Sequence, residues 1–474
     1  MTESIIVLRN FRINFAFILL FLGLSISGKS QSGGRYETDF LTPDFHKGRR
    51  EALRQFLPEH TVAILFSNPE RNRSNDNDYP YHQDPDFYYL TGFNEPNAVL
   101  IISSEKISCN ESESDEFLFI PKRDPKKETW TGKMADEKYA SEISGIKTVY
   151  PTSAFDPLFV FPPKFSIWYL PLPEGVTDDK TSDADLFNLI EQFKRKSNFP
   201  PENGDSYKLR KALSTLREIK SEEELVLLRK TINISADGHL SMMKSIHPSM
   251  REYQLQAVGE FEFAKAGAES FGYASICGSG ENSCILHYST NRRMMNDSDL
   301  VVIDMGAEYH GYSGDITRTL PVSGKFTENQ LILYNLVLEA QKAGIKECKA
   351  GNPFQAPHEA AKKVISEGLL KLGIISRADD YRMYFMHGTS HYLGLDVHDK
   401  GTYGALKPGN VITVEPGIYI PAGSECDPKW WNFGIRIEDD ILITSSGCEN
   451  LSIKVPSDPA EIERLIGASG NMHK

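Results

Sequence analysis

The chain has 474 residues, of which 40% are hydrophobic and 25% charged, and these values fit a globular protein of two or three domains. Its formal net charge of -13 argues against nucleic acid as a partner, because phosphate backbones are bound by basic surfaces. The six cysteines form no CxxC pair and no zinc-finger spacing, which predicts mostly buried free thiols, with Cys277 and Cys284 the pair to test for a disulfide.

The first 32 residues are predicted to be a secretory signal. Arg9 and Arg12 precede an apolar run at 13–24, and small and polar residues follow at 25–34. The apolar run is too short for a comfortable membrane span. We therefore expect an exported protein, periplasmic or secreted, with no stable membrane span after signal cleavage. An uncleaved signal anchor is the alternative, because the small-residue pattern at the cleavage site is loose.

Residues 36–207 are predicted to form a smaller domain of mixed α/β character. The polar segment at 71–78 is predicted to be a loop. Ionisable residues in this region do not group into a catalytic set, so we expect the chemistry to lie further along the chain. Strands are predicted at 60–68, 86–93, 98–103 and 116–121.

A helix is predicted to open the second domain. Ser221 and Glu224 form a capping-box pattern, and an apolar repeat with helical spacing follows at Leu225, Leu228 and Ile232. The predicted limits are 1–32 for the signal, 36–207 for the first domain, 221–456 for the second domain and 457–474 for a C-terminal tail.

Two aspartates follow in a pair of apolar segments joined by the sequence HGYSG. Asp304 ends the first apolar run and Asp315 begins the second. The glycines of the connection suit a tight turn, so the pair is predicted to lie across an antiparallel hairpin. Because strand residues alternate between faces, Asp315 shares a face with Thr317 and Thr319 and is directed towards a polar pocket.

Two glutamates lie in similar apolar runs. Glu415 ends the run VITV at a Pro-Gly pair, where rigid backbone can hold a ligand that remains open to substrate. Arg436 and Glu438 alternate with isoleucines, so a guanidinium and a carboxylate are predicted to enter the same cavity. A structural ion pair is the alternative interpretation of these two residues.

Three histidines, His387, His391 and His398, lie close together in a segment that contains several glycines. The glycines interrupt helical continuity, which predicts a loop or an irregular strand that converges on a site. Any one of these histidines alone would more often be an ordinary polar residue than a ligand.

Taken together, four carboxylates and one imidazole predict a metal site. Burial of an uncompensated carboxylate costs several kcal/mol or more, so these charges are expected to neutralise a cation. Oxygen-rich ligation with one imidazole suits manganese, cobalt, iron or zinc. Four negative charges exceed what one divalent ion needs, whereas two ions with bridging carboxylates and a bridging hydroxide would balance them. The predicted ligands are Asp304, Asp315, His391, Glu415 and Glu438.

The order Asp, Asp, His, Glu, Glu and the surrounding sequences resemble the aminopeptidase P branch of the pita-bread metallopeptidases. The motifs that carry the resemblance are DMGAEYHGYSGDITRT, HGTSHYLGLDVHD, TVEPGIY and GIRIEDD, together with WTGKM at 130–134 and GSGENSCILHY at 278–288. The resemblance extends from about Tyr81 to the PAEIERLIG segment near the C-terminus. It implies an α+β protein in which a C-terminal pita-bread catalytic domain follows a smaller mixed α/β domain.

The resemblance also implies an activity. The protein would be a hydrolase, a proline-specific metallo-aminopeptidase that cleaves the N-terminal Xaa-Pro bond of peptides through a hydroxide that bridges two divalent ions. Mn2+ is the first choice for these ions, and Co2+ and Zn2+ are the alternatives. Peptides with proline second would be its substrates.

The family's residue roles carry over to matching positions. Asp304 would chelate one metal, Asp315 and Glu438 would bridge the two ions, and His391 and Glu415 would hold the other. Glu415, beside the attacking water, would also act as the proton shuttle. The residues expected to handle substrate are His287, His387 and His398, and those expected to receive the proline ring are His387, Tyr419 and Arg436.

The sequence leaves three alternatives to this activity. A prolidase would cut only Xaa-Pro dipeptides. A methionine aminopeptidase is disfavoured by the large N-terminal domain, and a non-catalytic binding module is disfavoured because all five ligand positions are filled. Trp130 lies in a segment that reaches a neighbouring subunit's active site in relatives, which implies a homo-oligomer, either a dimer or a tetramer.

Overall fold

A computed structural model of the chain describes residues 37–109, 112–180, 182 and 184–469. The predicted signal at 1–32 lies outside the described residues. Among the helices of the described part, none is both long enough and apolar enough to cross a bilayer.

The N-terminal part is built on a mixed sheet of six strands in the order β6-β5-β4-β1-β7-β8, and β2 and β3 form a separate hairpin. The strands are β1 Thr61–Phe66, β2 Asn72–Ser74, β3 Asn77–Asp78, β4 Val99–Cys109, β5 Ser112–Ile120, β6 Val149–Pro151, β7 Ser166–Tyr169 and β8 Gly204–Asp205. The helices are α1 Pro43–Arg54, α2 Pro85–Thr91, α3 Pro125–Thr131, α4 Glu137–Ser144, α5 Phe155–Leu158, α6 Leu186–Ser197 and α7 Ser206–Arg217, with a 3-10 turn at Thr152–Ala154.

Strand β1 is buried on both faces because its residues alternate between two apolar cores. Ala63 and Leu65 belong to the large core that continues into the C-terminal half. Val62 and Ile64 pack on the other side of the sheet, in a core that includes Phe193 of α6. The predicted strands at 60–68, 98–103 and 116–121 are confirmed as β1, β4 and β5.

The predicted strand at 86–93 is wrong, since most of this segment forms α2. Asp84 caps the helix by accepting a hydrogen bond from the Phe87 amide at 2.8 Å, and the proline that follows Asp84 fits the first helical turn. Gly92, with φ of 63°, ends the helix in the left-handed conformation. These end signals outweigh the aromatic β-propensity of the segment. The predicted loop at 71–78 contains the exposed β2-β3 hairpin.

The chain passes between its two halves through α7 and α8. Helix α7 contacts α1 and β7 and so packs with the N-terminal sheet. The capping box at the start of α8 is confirmed, with Ser221 accepting from the Glu224 amide and Glu224 accepting from the Ser221 amide. Leu225, Leu228 and Ile232 are buried as their helical spacing predicts.

The C-terminal half combines short antiparallel sheets with five helices. Its sheets have the orders β10-β11-β14, β13-β12-β9, β15-β18-β19 and β16-β17. The strands are β9 Ser270–Phe271, β10 Ile276–Ser279, β11 Leu300–Asp304, β12 Ala307–Tyr309, β13 Tyr312–Ser313, β14 Thr317–Pro321, β15 Val411–Val414, β16 Gly417–Ile420, β17 Phe433–Arg436, β18 Asp439–Ile443 and β19 Cys448–Asn450. The helices are α8 Glu222–Ser245, α9 Glu252–Lys265, α10 Glu328–Lys346, α11 Ala356–Lys371 and α12 Pro459–Ser469, with 3-10 turns at Gly280–Cys284, Ala378–Met383 and Pro428–Trp430.

The segment between the two predicted aspartates contains a small hairpin of its own. His310 and Gly311, both with positive φ, form the two-residue turn between β12 and β13. Strands β11 and β14 flank this hairpin and pair antiparallel, with Asp304 opposite Thr317. The two aspartates therefore lie at the open end of the β11-β14 pair, as the hairpin prediction requires, but the tight turn joins other strands.

The C-terminal segment at 457–474 includes α12, which contacts α8 and α10. Ile462 and Ile466 of this helix are buried in the large core. All six cysteines are free, including Cys277 and Cys284.

Candidate metal centre and active site

A cavity of about 610 Å³ opens in the C-terminal half. All five predicted metal ligands line it, namely Asp304, Asp315, His391, Glu415 and Glu438. The predicted substrate residues that also line it are His287, His387, His398 and Arg436. Tyr419 is fully buried and reaches the cavity only through hydrogen bonds to His387 and Arg436.

The carboxylates of the cavity are held at the ends of strands. Asp304 is the last residue of β11, Asp315 lies just before β14 and Glu415 follows β15 directly. Glu438 lies between β17 and β18, and its amide donates to the Thr317 carbonyl. Since strand hydrogen bonds fix the backbone on one side of each residue, the carboxylates converge without a long mobile loop.

The cluster carries more negative charge than its protein partners neutralise. Arg436 donates to Asp304 at 2.6 Å, and it is the one guanidinium among the lining residues. Burial and the Asp315 carboxylate raise the pKa of Glu415 to about 7, although His391 opposes the shift. Burial and the same carboxylate raise the pKa of Glu438 well above its ordinary value. Buried like charges of this kind favour binding of cations.

His391 is oriented as a metal ligand needs to be. Its Nδ1 lies 3.0 Å from the Tyr392 carbonyl and so donates its proton there. Its Nε2 faces Asp315 and Glu415, each at 3.4 Å, and is the nitrogen that would bind a metal ion after losing its proton. Burial alone would lower the pKa of His391, but the two carboxylates raise it to about 9.

The donor set fits divalent metal ions. Ligand atoms of Asp315, His391 and Glu438 lie within 4.8 Å of one another, close enough to share one ion. Four carboxylates with one imidazole form an oxygen-rich set that suits manganese, cobalt or zinc. The predicted metal site is therefore consistent with the geometry and the charge of the cavity.

A hydrogen-bonded chain of three side chains forms one wall of the site. The Nδ1 of His387 lies 2.7 Å from the Gly388 carbonyl and so carries the proton, which leaves Nε2 to accept from the Tyr419 hydroxyl at 2.9 Å. Arg436 donates to the same hydroxyl at 2.8 Å. Burial and the Arg436 charge lower the pKa of His387 to about 4, so this imidazole is neutral near pH 7.

His398 packs against the predicted metal ligand His391. The two rings meet edge to face with centroids 4.3 Å apart. Burial and the neighbouring His391 lower the pKa of His398. His287 lines the same cavity, so two segments far apart in the sequence, one with His287 and one with His387 and His398, bring the three predicted substrate histidines together.

Three residues of the site were not identified from the sequence. The Tyr273 hydroxyl lies 2.6 Å from Asp304 and 2.5 Å from Asp315, and Thr317 donates to Glu438 at 2.6 Å. The fully buried Asp440 accepts from the Asp315 amide at 3.2 Å. Alternation along β14 places Thr317 on the face of Asp315 but assigns it no role, and Tyr273 lies outside the predicted strands and has no comparable signal.

Two family models match the chain: Metallopeptidase family M24 over residues 226–445 and the aminopeptidase P N-terminal domain over residues 46–160. The Xaa-Pro aminopeptidase of Escherichia coli is 39% identical over 434 residues, which cover 89% of this chain and 97% of the relative. The structure of Pseudomonas aeruginosa aminopeptidase PepP aligns with a TM-score of 0.82 at 35% identity, covering 92% of this chain and 100% of that one. Escherichia coli aminopeptidase P with the inhibitor Pro-Leu aligns with a TM-score of 0.80 at 37% identity, covering 91% and 100%.

A two-part α+β fold with a cluster of carboxylates and one histidine at its strand ends defines a class of metal-dependent hydrolases. The chain belongs to metallopeptidase family M24 and carries the N-terminal domain of the aminopeptidase P branch. The predicted fold class, with a C-terminal pita-bread domain after a smaller mixed domain, is thereby confirmed, as is the predicted class of enzyme. The domain limits of 36–207 and 221–456 stay a prediction.

Excess negative charge in the cavity predicts that the metal-free protein is destabilised by its own ligands. Burial and Asp315 disfavour the ionised form of Glu438, and Glu438→Gln replaces this group by a neutral amide of the same shape, so the metal-free variant is expected to melt about 1–3 °C above the metal-free wild type. The same variant should lose the rise in melting temperature that MnCl2 produces in the wild type. Differential scanning fluorimetry with and without chelator measures both effects.

The control for this experiment is Glu425→Gln, at an exposed position outside the cavity. It should leave both melting temperatures unchanged. A metal-free Glu438→Gln protein that melts lower than wild type and still gains stability from manganese would contradict the assignment of this cluster.

Proposed function

We propose that the protein is a dinuclear-metal-dependent aminopeptidase that hydrolyses the N-terminal Xaa-Pro bond of peptides through a metal-bridging hydroxide. The observation that carries the proposal is the convergence of the five ligands with three histidines and one arginine in a single cavity. The similarity to Xaa-Pro aminopeptidases over 89% of the chain supports it.

The proposed assignment has Asp304 on one ion, Asp315 and Glu438 bridging, and His391 and Glu415 on the other. When bound, two divalent ions would supply a hydroxide near neutral pH and Lewis acidity towards the scissile carbonyl. Mn2+ is the proposed occupant, and Co2+ and Zn2+ suit the same ligands. The free amine of the substrate would bind near this acidic cluster.

Recognition of proline is proposed to depend on the wall of the cavity that the hydrogen-bonded side chains of His387, Tyr419 and Arg436 form. An Xaa-Pro bond has no N–H, so a site for it needs a surface that leaves no buried acceptor unpaired. His387 meets this need because its Nδ1 proton is used by the Gly388 carbonyl and its Nε2 lone pair by the Tyr419 hydroxyl. Its ring face is left as an apolar surface for the pyrrolidine. Tyr419 would act here by orienting His387 rather than by touching the ring of the substrate.

Two further side chains are proposed to act during the reaction. Glu415 would take the proton from the attacking water and deliver it to the leaving proline nitrogen. His398 would donate a hydrogen bond to the developing oxyanion, a position consistent with its location beside His391. His287, which lines the same cavity, would hold the substrate backbone.

Hydrolysis of Ala-Pro-Ala tests the activity directly. Metal-replete wild type is expected to release alanine, chelator-treated protein to be inactive, and Mn2+ to restore the activity. Glu415→Gln keeps the side-chain shape but cannot shuttle the proton, so kcat is expected to fall by at least about 100-fold. Glu425→Gln, on the exposed loop, is the matched control with unchanged rate.

Ala-Pro is assayed in parallel, because it distinguishes the neighbouring activity. Cleavage of the dipeptide without the tripeptide would identify a prolidase instead. Metal-replete protein that cleaves neither peptide would contradict the proposed function.

We also propose that the chain is exported, to the periplasm or the medium, on the basis of its first 32 residues. Expression of the full chain in an export-competent bacterial host and mass spectrometry of the product should show a new N-terminus between Ser25 and Gly34. Leu20→Arg, which places a charge in the apolar run, should block this processing. Intact Met1 in the membrane fraction would indicate a signal anchor, and intact Met1 in the cytosol would contradict export.

A homo-oligomer is proposed from the surface around Trp130. This side chain is 88% exposed on α3, a helix with no buried residue of its own, which is unusual for a tryptophan of a monomer. Light scattering of the purified protein should give the mass of a dimer or tetramer, and Trp130→Ala should reduce it. Val160→Ala, at another exposed apolar residue, is the control. A monomeric wild type would contradict the proposal.

A further inference from the structure

A buried ion-pair cluster joins the N-terminal half to the loop that carries His398. Arg217, at the end of α7, donates to Asp86 of α2 at 2.7 Å, to Asp396 at 2.9 Å and to Asp399 at 2.5 Å. The side chains of Asp86, Arg217 and Asp399 are 0%, 1% and 2% exposed. We call Asp86, Arg217, Asp396 and Asp399, together with Lys220 and Lys400, the Arg217 cluster.

Two lysines complete the Arg217 cluster and balance its charge. Lys220 donates to Asp399 at 2.8 Å, and Lys400 is paired with the second oxygen of Asp86. Three cations thus face three carboxylates. Burial alone would raise the pKa of Asp399, but Arg217 and Lys220 hold it below its ordinary value. Each charge depends on the others, because removal of one partner leaves an uncompensated charge in a dry environment.

Half of the Arg217 cluster lies on the loop that includes His398. Asp396, Asp399 and Lys400 all belong to this loop, which follows the ligand His391. The Asp399 amide also donates to the Tyr392 carbonyl at 2.8 Å. Hydrogen bonds of both the side chain and the backbone of Asp399 therefore hold the loop in place immediately after His398.

Gly394, at the start of the same loop, is required by this arrangement. A Cβ at Gly394 would lie 2.1 Å from the Asp399 carboxylate and 2.9 Å from Lys220. Glycine at position 394 therefore leaves space for the ion pair between Asp399 and Lys220. The Ser313 amide donates to the Gly394 carbonyl at 2.9 Å and fastens this end of the loop to β13.

None of the six charged residues lines the catalytic cavity, whereas His398, the neighbour of Asp399, does. We propose that Arg217 and Asp86 are positioning residues for the peptidase reaction, which hold the loop at 394–400 so that His398 stands over His391. The inference rests on the role proposed above for His398. It gives the N-terminal half a part in assembling the catalytic site, because Asp86 and Arg217 both lie in helices that pack with the N-terminal sheet.

Asp86→Asn tests this role, because it keeps the side-chain volume and removes the charge of one of the three carboxylates of the Arg217 cluster, the one that pairs with both Arg217 and Lys400. We expect kcat for Ala-Pro-Ala to fall at least about tenfold with KM nearly unchanged, since the lost interaction is made in the transition state. Asp396→Asn is a milder second variant, with a side chain that is 38% exposed and a single partner in Arg217. It should lower kcat about threefold in the same manner.

A double-mutant cycle separates positioning from general stabilisation. In a His398→Ala background, Asp86→Asn should change kcat less than about twofold, because the group that it positions is already absent. If the Arg217 cluster only stabilised the fold, the effects of the two substitutions would be additive. Additivity, or an Asp86→Asn protein with wild-type kcat, would overturn the inference.

The matched control is Glu116→Gln, which removes a carboxylate from the buried guanidinium of Arg50 within the N-terminal half. This pair has no contact with the loop at 394–400. Glu116→Gln should lower the melting temperature and leave kcat and KM unchanged. An equal fall in kcat for this variant would show that any loss of N-terminal packing affects the site, which would also overturn the inference.

Amide hydrogen exchange gives a measurement that does not depend on activity. The peptide that includes residues 392–400 should exchange faster in Asp86→Asn than in wild type, and should be unchanged in Glu116→Gln. Unchanged exchange in both variants would overturn the inference even if the enzyme were active. If the wild type failed to cleave any Xaa-Pro peptide, the proposed function would be wrong, and the exchange result alone would decide whether the Arg217 cluster holds the loop.

Discussion

Repulsion among buried carboxylates is the constraint around which the C-terminal half is organised. Asp304, Asp315, Glu415 and Glu438 are brought together with one guanidinium from Arg436, and burial together with the neighbouring carboxylates disfavours the ionised forms of Glu415 and Glu438. Burial of such charges is unfavourable unless a cation joins them. The antiparallel sheets supply the energy that holds the carboxylates together, because each lies where strand hydrogen bonds and apolar packing already fix the backbone. The site is thus assembled by the fold and completed by metal.

Around this cluster, hydrogen bonds to neutral groups set the orientation of each active group. Carbonyl oxygens of Tyr392 and Gly388 take the Nδ1 protons of His391 and His387, so both imidazoles present Nε2 inward. For His391 that nitrogen faces the metal ligands, and for His387 it is occupied by a hydroxyl. The same hydrogen bond therefore presents Nε2 of His391 to the carboxylates, as the proposed metal ligand, and leaves His387 with both ring nitrogens already hydrogen-bonded. The difference comes from the neighbours, not from the histidines.

The residues of the candidate site could be predicted from the sequence more completely than the elements of the fold. Alternation and strand-end signals identify Asp315 and Glu415, because burial of a charged side chain among Val and Ile is unfavourable unless the charge is compensated. For the segment at 86–93 the sequence pattern predicts a strand where the structure has a helix, since its aromatic residues suit either element and only Asp84 and Gly92 mark the helix ends. No local pattern identifies Tyr273, because its contacts with the aspartates cross 31 and 42 residues of sequence.

Charge balance distinguishes the Arg217 cluster from the carboxylate cluster of the predicted metal site, here called the metal cluster. The Arg217 cluster pairs three carboxylates with three cations and so is complete within the chain, which is the condition for a structural element. The metal cluster pairs four carboxylates with one arginine and one histidine, and it is complete only with ions from outside. A neutral cluster can be buried as a rigid joint, whereas an unbalanced one must remain accessible to its ions. His398 lies between the two, on a loop fixed by the first and facing the second.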